Sequence, residues 1–155
     1  MDIEKLVREY IKQTIHLSLA TARGNKPWVC EVHFVYDDNL NLYFSSKTAR
    51  RHSQEIADNP FVAGNIVKQH ELGESPHGIY FEGEALHLTD KSEVEAAAKL
   101  YQEKLDIPGA MADEALKDPA SHQFYKITVA NWYAFGKFGL ETNQKYELKW
   151  NGGKK

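Results

Sequence analysis

The chain is poor in cysteine, and its one cysteine, Cys30, excludes an internal disulfide and a thiolate metal cage. Long apolar runs are missing too. The longest, residues 132–135, is far shorter than the ~20 residues of a membrane-spanning helix. The first residues lack the basic start and apolar stretch of a secretory signal. We therefore expect a cytoplasmic protein whose stability comes from packing.

An excess of positive charge is also absent. Lys and Arg number 19 against 22 Asp and Glu, which gives a net charge of −3. Such a chain has no overall attraction for nucleic acid or an anionic membrane, so neither is expected as a partner. The 155 residues, 42% hydrophobic and 26% charged, are typical of a globular protein. One domain over residues 1–155 is the expectation.

The spacing of apolar residues predicts a mixture of helices and antiparallel strands. Helical spacing predicts a helix over residues 3–13, and alternation from Ile15 onward predicts strands. Turn residues at 23–27 and 37–39 divide the first three strands into a meander. Further strands are predicted over residues 61–68, 78–88 and 124–135, and further helices over 91–105 and after residue 109. This pattern predicts an α+β fold, a small antiparallel barrel of six or seven strands with inserted helices.

Two local features refine this prediction. A short helix with Thr48 as its N-cap must end at Asn59, because the residue before Pro60 avoids helical angles. Gly83, in the middle of a long strand, predicts a bulge or a close backbone approach.

The strongest candidate for chemistry is the segment 45–52, which combines hydroxyls and cations at the start of that short helix. A helix N-terminus offers unpaired amides, and arginines add bidentate, charge-assisted bonds, so this pattern favours a phosphate. The alternative is a solvated, basic helix start. Positive charge in a first turn opposes the helix dipole, which favours a compensating anion. The residues of this candidate site are Ser45, Ser46, Lys47, Arg50 and Arg51.

Other catalytic patterns are not present. The seven histidines form no HExxH or helical pair, and no GxSxG, GxGxxG or Walker sequence occurs, so hydrolase and nucleotidase functions lose support. No metal site is expected, although His70 and His77 with their acidic neighbours could surround a cation. Alternation places Cys30 on an apolar strand face, which favours a buried small hydrophobe over a nucleophile.

Several segments together resemble the pyridoxamine 5′-phosphate oxidase-like, FMN-binding split-barrel superfamily. The resemblance extends over residues 11–88, and its motifs are LATAR at 19–23, KPW at 26–28, LYFSS at 42–46, RRH at 50–52, NPFVA at 59–63 and GEA at 83–85. It implies a symmetric homodimer with FMN in each of two clefts between the protomers.

The resemblance also implies roles for particular residues. Ser45 and Ser46 match the hydroxyl or amide residues at the end of the third strand, and Arg50 and Arg51 match the pair that grips the FMN phosphate. A strand segment that runs along the flavin ring matches Val32, His33 and Phe34. From the partner protomer, His77 and Gly78 occupy the position where the family offers a ring-contacting glutamine.

The aromatic side chains of the predicted strands also favour a dimer. The strands carry more large aromatic side chains than a small barrel interior readily holds, so some must face outward and need a cover. They are Trp28, Phe34, Tyr36, Tyr80, Phe81, Trp132, Tyr133 and Phe135.

The true oxidase carries an Arg-x-His element near its C-terminus, and residues 131–137 show none. Vitamin B6 oxidation is therefore not expected. The resemblance instead predicts an FMN-binding flavoprotein, an oxidoreductase acting on a small-molecule redox substrate. The alternatives are a non-enzymatic flavin carrier or stress protein, and a haem-binding protein using His70 or His77. The flavin prediction needs no catalytic acid or base from the chain, because the cofactor supplies the hydride chemistry.

Overall fold

The computed structural model describes residues 2–136 and 144–154, and within them it forms four α-helices and eight strands. The helices are α1 (Ile3–Ile11), α2 (Arg51–Asp58), α3 (Lys91–Leu105) and α4 (Met111–Lys117). The strands are β1 (His16–Arg23), β2 (Lys26–His33), β3 (Val35–Tyr36), β4 (Leu42–Lys47), β5 (Phe61–Ile66), β6 (Gly78–His87), β7 (His122–Phe135) and β8 (Lys145–Lys149). None of the helices described has the length and apolar character needed to cross a bilayer.

One antiparallel sheet forms the barrel. Its strand order is β2-β1-β5-β6-β7-β4-β3, and β8 pairs with β7. The two ends of this order, β2 and β3, are joined in the chain by the single residue Phe34. The sheet therefore curls until its edges approach, and the predicted α+β split barrel is confirmed. Among the described residues the path of the sheet has seven strands, as predicted, and β8 lies off this path as an eighth strand.

The separation of β3 from β2 occurs at a break in alternation. Phe34 and Val35 are both buried although they are consecutive. The Phe34 amide donates to Ile15 O at 2.9 Å, and Val35 then pairs with Tyr43 of β4 instead of with β1. The end of β2 is left beside an opening between the two edges of the sheet.

Two apolar clusters hold the fold together. The first fills the barrel and includes Phe44, Phe81 and Trp132, each at most 2% exposed. The second lies between the sheet and helices α3 and α4, where Tyr101 meets Phe124 edge to face. Burial of this kind supplies the main favourable term in folding.

The N-cap predicted for helix α2 is wrong. Thr48 is not the N-cap of α2, because the Arg50 amide bonds to Lys47 O at 3.1 Å and closes a turn before the helix starts. Arg50 is the N-cap, and its side chain makes no capping hydrogen bond. The end of α2 is as predicted, with Asn59 as C-cap in extended backbone.

The predicted bulge at Gly83 is confirmed. The pairing of β6 with β7 shifts register between Glu82 and Gly83. A Cβ atom at Gly83 would lie 2.2 Å from Thr128 O, so only glycine fits without displacing the β7 backbone.

Candidate functional site

A cleft of about 660 Å³ opens beside edge strand β2, where the sheet splits. One wall is β2 with the first residue of β1, and the other is the end of β4 and the start of α2. This volume is within the ~300–1,000 Å³ range of small-molecule and cofactor sites. The lining residues are His16, Trp28, Cys30, Glu31, Val32, His33, Ser45, Ser46, Arg50, Arg51, His52 and Tyr101.

Most of the candidate site residues predicted from the sequence line this cleft. Val32 and His33 come from β2, Ser45 and Ser46 from β4, and the two arginines from the start of α2, at positions 50 and 51. These segments follow one another within 20 residues of the chain but lie on separate elements. They meet because β2 stands at one end of the strand order and β4 is next to the other end, and the barrel brings those ends together.

Four predicted residues lie outside the cleft of the single chain. The Phe34 side chain is buried in the barrel core, and Lys47 is exposed at the end of β4. His77 and Gly78 lie at the start of β6, where Tyr10 Oη is 2.9 Å from His77 Nδ1. The ring contact predicted for His77 and Gly78 came from a partner protomer, and it stays a prediction.

The side chain of Arg51 is held by two neighbours. Its Nε donates to Glu55 Oε2 at 2.7 Å, and its guanidinium carbon lies 4.2 Å from the centre of the Trp28 ring. Glu55 is only 3% exposed and also accepts a hydrogen bond from Thr21 Oγ1 at 3.0 Å. The Arg51 guanidinium holds the pKa of Glu55 below its usual value, so this buried carboxylate is charged. The negative charge of Glu55 neutralises much of the positive charge of Arg51.

Arg50 is in a different electrostatic situation. Its guanidinium has no hydrogen bond or ion pair within residues 2–136 and 144–154. It stands at the N-cap of α2, where the first amides of a helix lack intrahelical acceptors and carry a partial positive charge. The start of α2 is thus a point of uncompensated positive potential that opens into the cleft.

The serines add hydrogen-bonding capacity at the same place. Ser45 Oγ is buried and has no hydrogen-bond partner in the part of the chain described. An unmet buried hydroxyl costs on the order of 1–3 kcal/mol, which a ligand oxygen would recover. Ser46 Oγ is hydrogen-bonded to His52 Nε2 at 2.7 Å. Burial, with the nearby Arg50 charge, lowers the pKa of His52, so its ring is neutral at pH 7.

The wall of β2 is mainly apolar. Trp28, Cys30 and Val32 share the face that pairs with buried residues of β1, and Tyr101 of α3 completes the cleft. Burial raises the pKa of the Cys30 thiol to about 11, so Cys30 is protonated at neutral pH and is no nucleophile. The arrangement suits a ligand with an anionic end at α2 and a flat apolar part along β2.

Sequence reasoning did not select Trp28, Glu55 or Tyr101 for the site. Trp28 entered only as an aromatic strand position and as part of the KPW motif, Tyr101 lies in a helix predicted without a role in the site, and Glu55 lies in a helix with an ordinary charge pattern. The signal for Glu55 was its spacing, because it stands four residues after Arg51, within reach for an ion pair on a helix.

Comparisons with known proteins agree with this geometry. The family model of pyridoxamine 5′-phosphate oxidase matches residues 3–136. A UPF0306 protein of Photorhabdus laumondii is 28% identical over 96 residues, 61% of this chain and 67% of that protein. The matches to such curated relatives span about two thirds of their length.

Two solved structures share the fold. An FAD-binding protein of Mesorhizobium loti superposes with a TM-score of 0.64 at 21% identity, covering 86% of this chain and 93% of that one. A haem-binding protein of Mycobacterium smegmatis superposes with a TM-score of 0.70 at 16% identity, covering 92% and 56%. At sequence identities this low, the superpositions establish a common fold and nothing further.

Proposed function

Because the chain belongs to the pyridoxamine 5′-phosphate oxidase family, we propose that it binds FMN in the cleft beside β2 and acts as an oxidoreductase on a small-molecule substrate. The observation that carries the proposal is that one cleft holds the Arg50 guanidinium, at the start of α2, and the buried Ser45 hydroxyl, at the end of β4, and that neither has a partner among the described residues. A phosphate monoester would satisfy both groups, and the first amides of α2 with them.

The residues of the cleft have distinct tasks in this proposal. Arg50 binds the phosphate, Ser45 donates to it, and Arg51 keeps its position through Glu55 and Trp28. The β2 segment with Val32 offers its backbone edge and apolar side chains to a flat ring. When bound, FMN supplies hydride transfer, and the protein supplies binding, orientation and a partly dry environment.

We further propose a homodimer that completes two equivalent clefts. Large apolar side chains on the outer face of the sheet support it: Val29 is 60% exposed, Phe61 67% and Leu86 62%. Exposed apolar groups that share one face of the sheet favour a protein partner. Of the eight aromatics that motivated the dimer, Phe34, Phe81 and Trp132 in fact face the core, each at most 2% exposed.

The dimer would also give His77 and Gly78 their expected role. Since they lie outside the cleft of their own chain, a flavin contact by them would have to be in the cleft of a second copy. In the proposed dimer each cleft takes its phosphate grip from one protomer and part of its ring wall from the other.

An absorption spectrum of the purified protein, incubated with FMN and separated from free ligand, tests the proposal. We expect retained flavin bands. A Soret band in the protein as purified would instead support haem binding through His70 or His77, and a protein that retains no flavin would contradict the FMN site.

Anaerobic addition of NADH or NADPH then separates an enzyme from a carrier. Bleaching of the bound flavin at a rate above that of free FMN supports the oxidoreductase, and an unchanged rate with both nucleotides supports a non-enzymatic carrier.

A further inference from the structure

Two histidines form a close pair at the rim of the cleft. His16 of β1 and His33 of β2 stand directly opposite each other in the antiparallel register. Their Nε2 atoms are 3.1 Å apart, and their ring centres are 4.7 Å apart. Both side chains are exposed, and the two nitrogens share a hydrogen bond that a metal ion would replace.

The separation of the two nitrogens is that of a chelate. Imidazole nitrogens bind Zn²⁺ at about 2.0–2.1 Å, so two of them on one ion lie about 2.9 Å apart at a right angle and about 3.3 Å apart at the tetrahedral angle. The observed 3.1 Å lies between these values. We propose that His16 and His33 chelate one divalent transition-metal ion of the imidazole-binding class, of which Zn²⁺ and Ni²⁺ are members.

The backbone prepares this pair for binding. The two residues occupy one rung of the β1-β2 ladder, and the next residue, Phe34, is anchored by its amide to Ile15 O at 2.9 Å. Both Cα positions are therefore fixed by main-chain hydrogen bonds. The two rings are already close together, which limits the entropy lost on chelation.

One close neighbour of the pair is acidic, while Arg50 and Arg51 line the opposite wall of the same cleft. Glu31 lies on the same outer face of β2, two residues before His33, and its carboxylate is held by Ser18 Oγ at 3.0 Å. The described residues contain no group of three or more metal-ligating side chains, so water or another small ligand completes the coordination. The site is thus open, and hard ions such as Mg²⁺ and Ca²⁺, which prefer oxygen, are not expected in it.

Both histidines line the cleft proposed for FMN, so the test uses FMN-free protein without a polyhistidine tag and does not depend on whether FMN binds. Titration with ZnCl₂ in a calorimeter should show one ion per chain, and Zn²⁺ should raise the melting temperature. His16→Ala and His33→Ala should each weaken Zn²⁺ binding at least tenfold, because each leaves a single imidazole.

Two control variants make the result specific. His122→Ala removes an exposed histidine from the start of β7 and should bind Zn²⁺ as the wild type does. His70→Ala tests the other close histidine pair, in which the rings of His70 and His77 are 4.0 Å apart. Three outcomes would each overturn the proposal: Zn²⁺ binds His16→Ala and His33→Ala with wild-type affinity, His70→Ala loses Zn²⁺ binding, or the wild type binds no Zn²⁺ at millimolar concentration. Unchanged melting temperatures without metal exclude misfolding as the cause.

Discussion

At the scale of single residues, the most important feature of the candidate site is that Arg50 and Arg51 differ in their bonding partners. The two are adjacent in sequence, yet Arg51 is bound to a buried carboxylate and an indole, and Arg50 has no such partner in the described chain. The sequence predicted a joint grip by both. Their division of roles depends on Glu55, which the i,i+4 spacing on the helix could have suggested, and on Trp28, which only the folded chain brings to Arg51.

His52 makes stability depend on pH near neutrality. Because burial lowers its pKa, the folded state favours the neutral ring, and the unfolded state binds the proton more readily. Its contribution is complete above the ordinary pKa of 6.5 and is lost as pH falls through the lower folded value. We expect the melting temperature to fall between pH 7.5 and 5.5, and to fall less in His52→Gln, whose amide can still bond Ser46.

The control for this prediction is an exposed histidine. His122→Gln should keep the wild-type pH dependence. The dependence should shrink and not vanish in His52→Gln, since the pKa of His77 is also lowered by burial. Equal pH dependence in wild type and His52→Gln would show that His52 is not the titrating group.

At the scale of elements, the bulge in β6 shapes the sheet. Bulges bend a strand and increase its local twist, which a small barrel needs in order to curl. Gly83→Ala would place a methyl group 2.2 Å from Thr128 O, and we expect it to lower the free energy of unfolding by about 2 kcal/mol or more, measured by urea denaturation.

Gly24→Ala provides the comparison. Gly24 has a φ of +58°, but a methyl group added there would meet no atom within 4 Å, so only backbone strain of about 1 kcal/mol is expected. A Gly83→Ala variant as stable as the wild type would mean that β7 can retreat and that the close approach is not required.

The elements show where sequence reasoning succeeds and where it stops. Helix α3 was predicted with its observed bounds, because Asp90 caps it and an apolar stripe follows at helical spacing. The break at Phe34 was not predicted, since Phe34 and Val35 are both apolar and either could have continued the alternation. Which strand they pair with is decided by barrel closure, a property of distant residues.

At the scale of the whole molecule, the proposed dimer and the flavin site should be coupled. Phe61 is 67% exposed on the outer face of β5, so Phe61→Lys should fold normally while placing a charge in the proposed interface. We expect the wild type to sediment at twice the chain mass of 17.7 kDa, and the variant to dissociate more readily and bind FMN more weakly.

Leu72→Lys is the matched control, because Leu72 is fully exposed in the loop before β6 and has no place in the proposed interface. It should sediment and bind FMN as the wild type does. A monomeric wild type that binds FMN tightly would show that one chain builds the whole cleft, and the dimer would have to be abandoned.

The sequence predicted the barrel and the cluster that grips an anion, because alternation and local charge are encoded in neighbouring residues. It could not place Tyr101 or His16 in the cleft, because α3 and the edge of β1 reach it only after the sheet has closed.

Binding of FMN and riboflavin to the wild type and to Arg50→Ala tests the central claim most directly, since riboflavin differs from FMN only in lacking the phosphate. We expect the wild type to prefer FMN, and Arg50→Ala to lose tenfold to a hundredfold in FMN affinity, or ~1.5–3 kcal/mol, with riboflavin affinity unchanged. Arg23→Ala, which removes an arginine paired with Asp58 outside the cleft, should change neither. Equal wild-type affinities for the two flavins, or unaltered FMN binding in Arg50→Ala, would contradict the phosphate site.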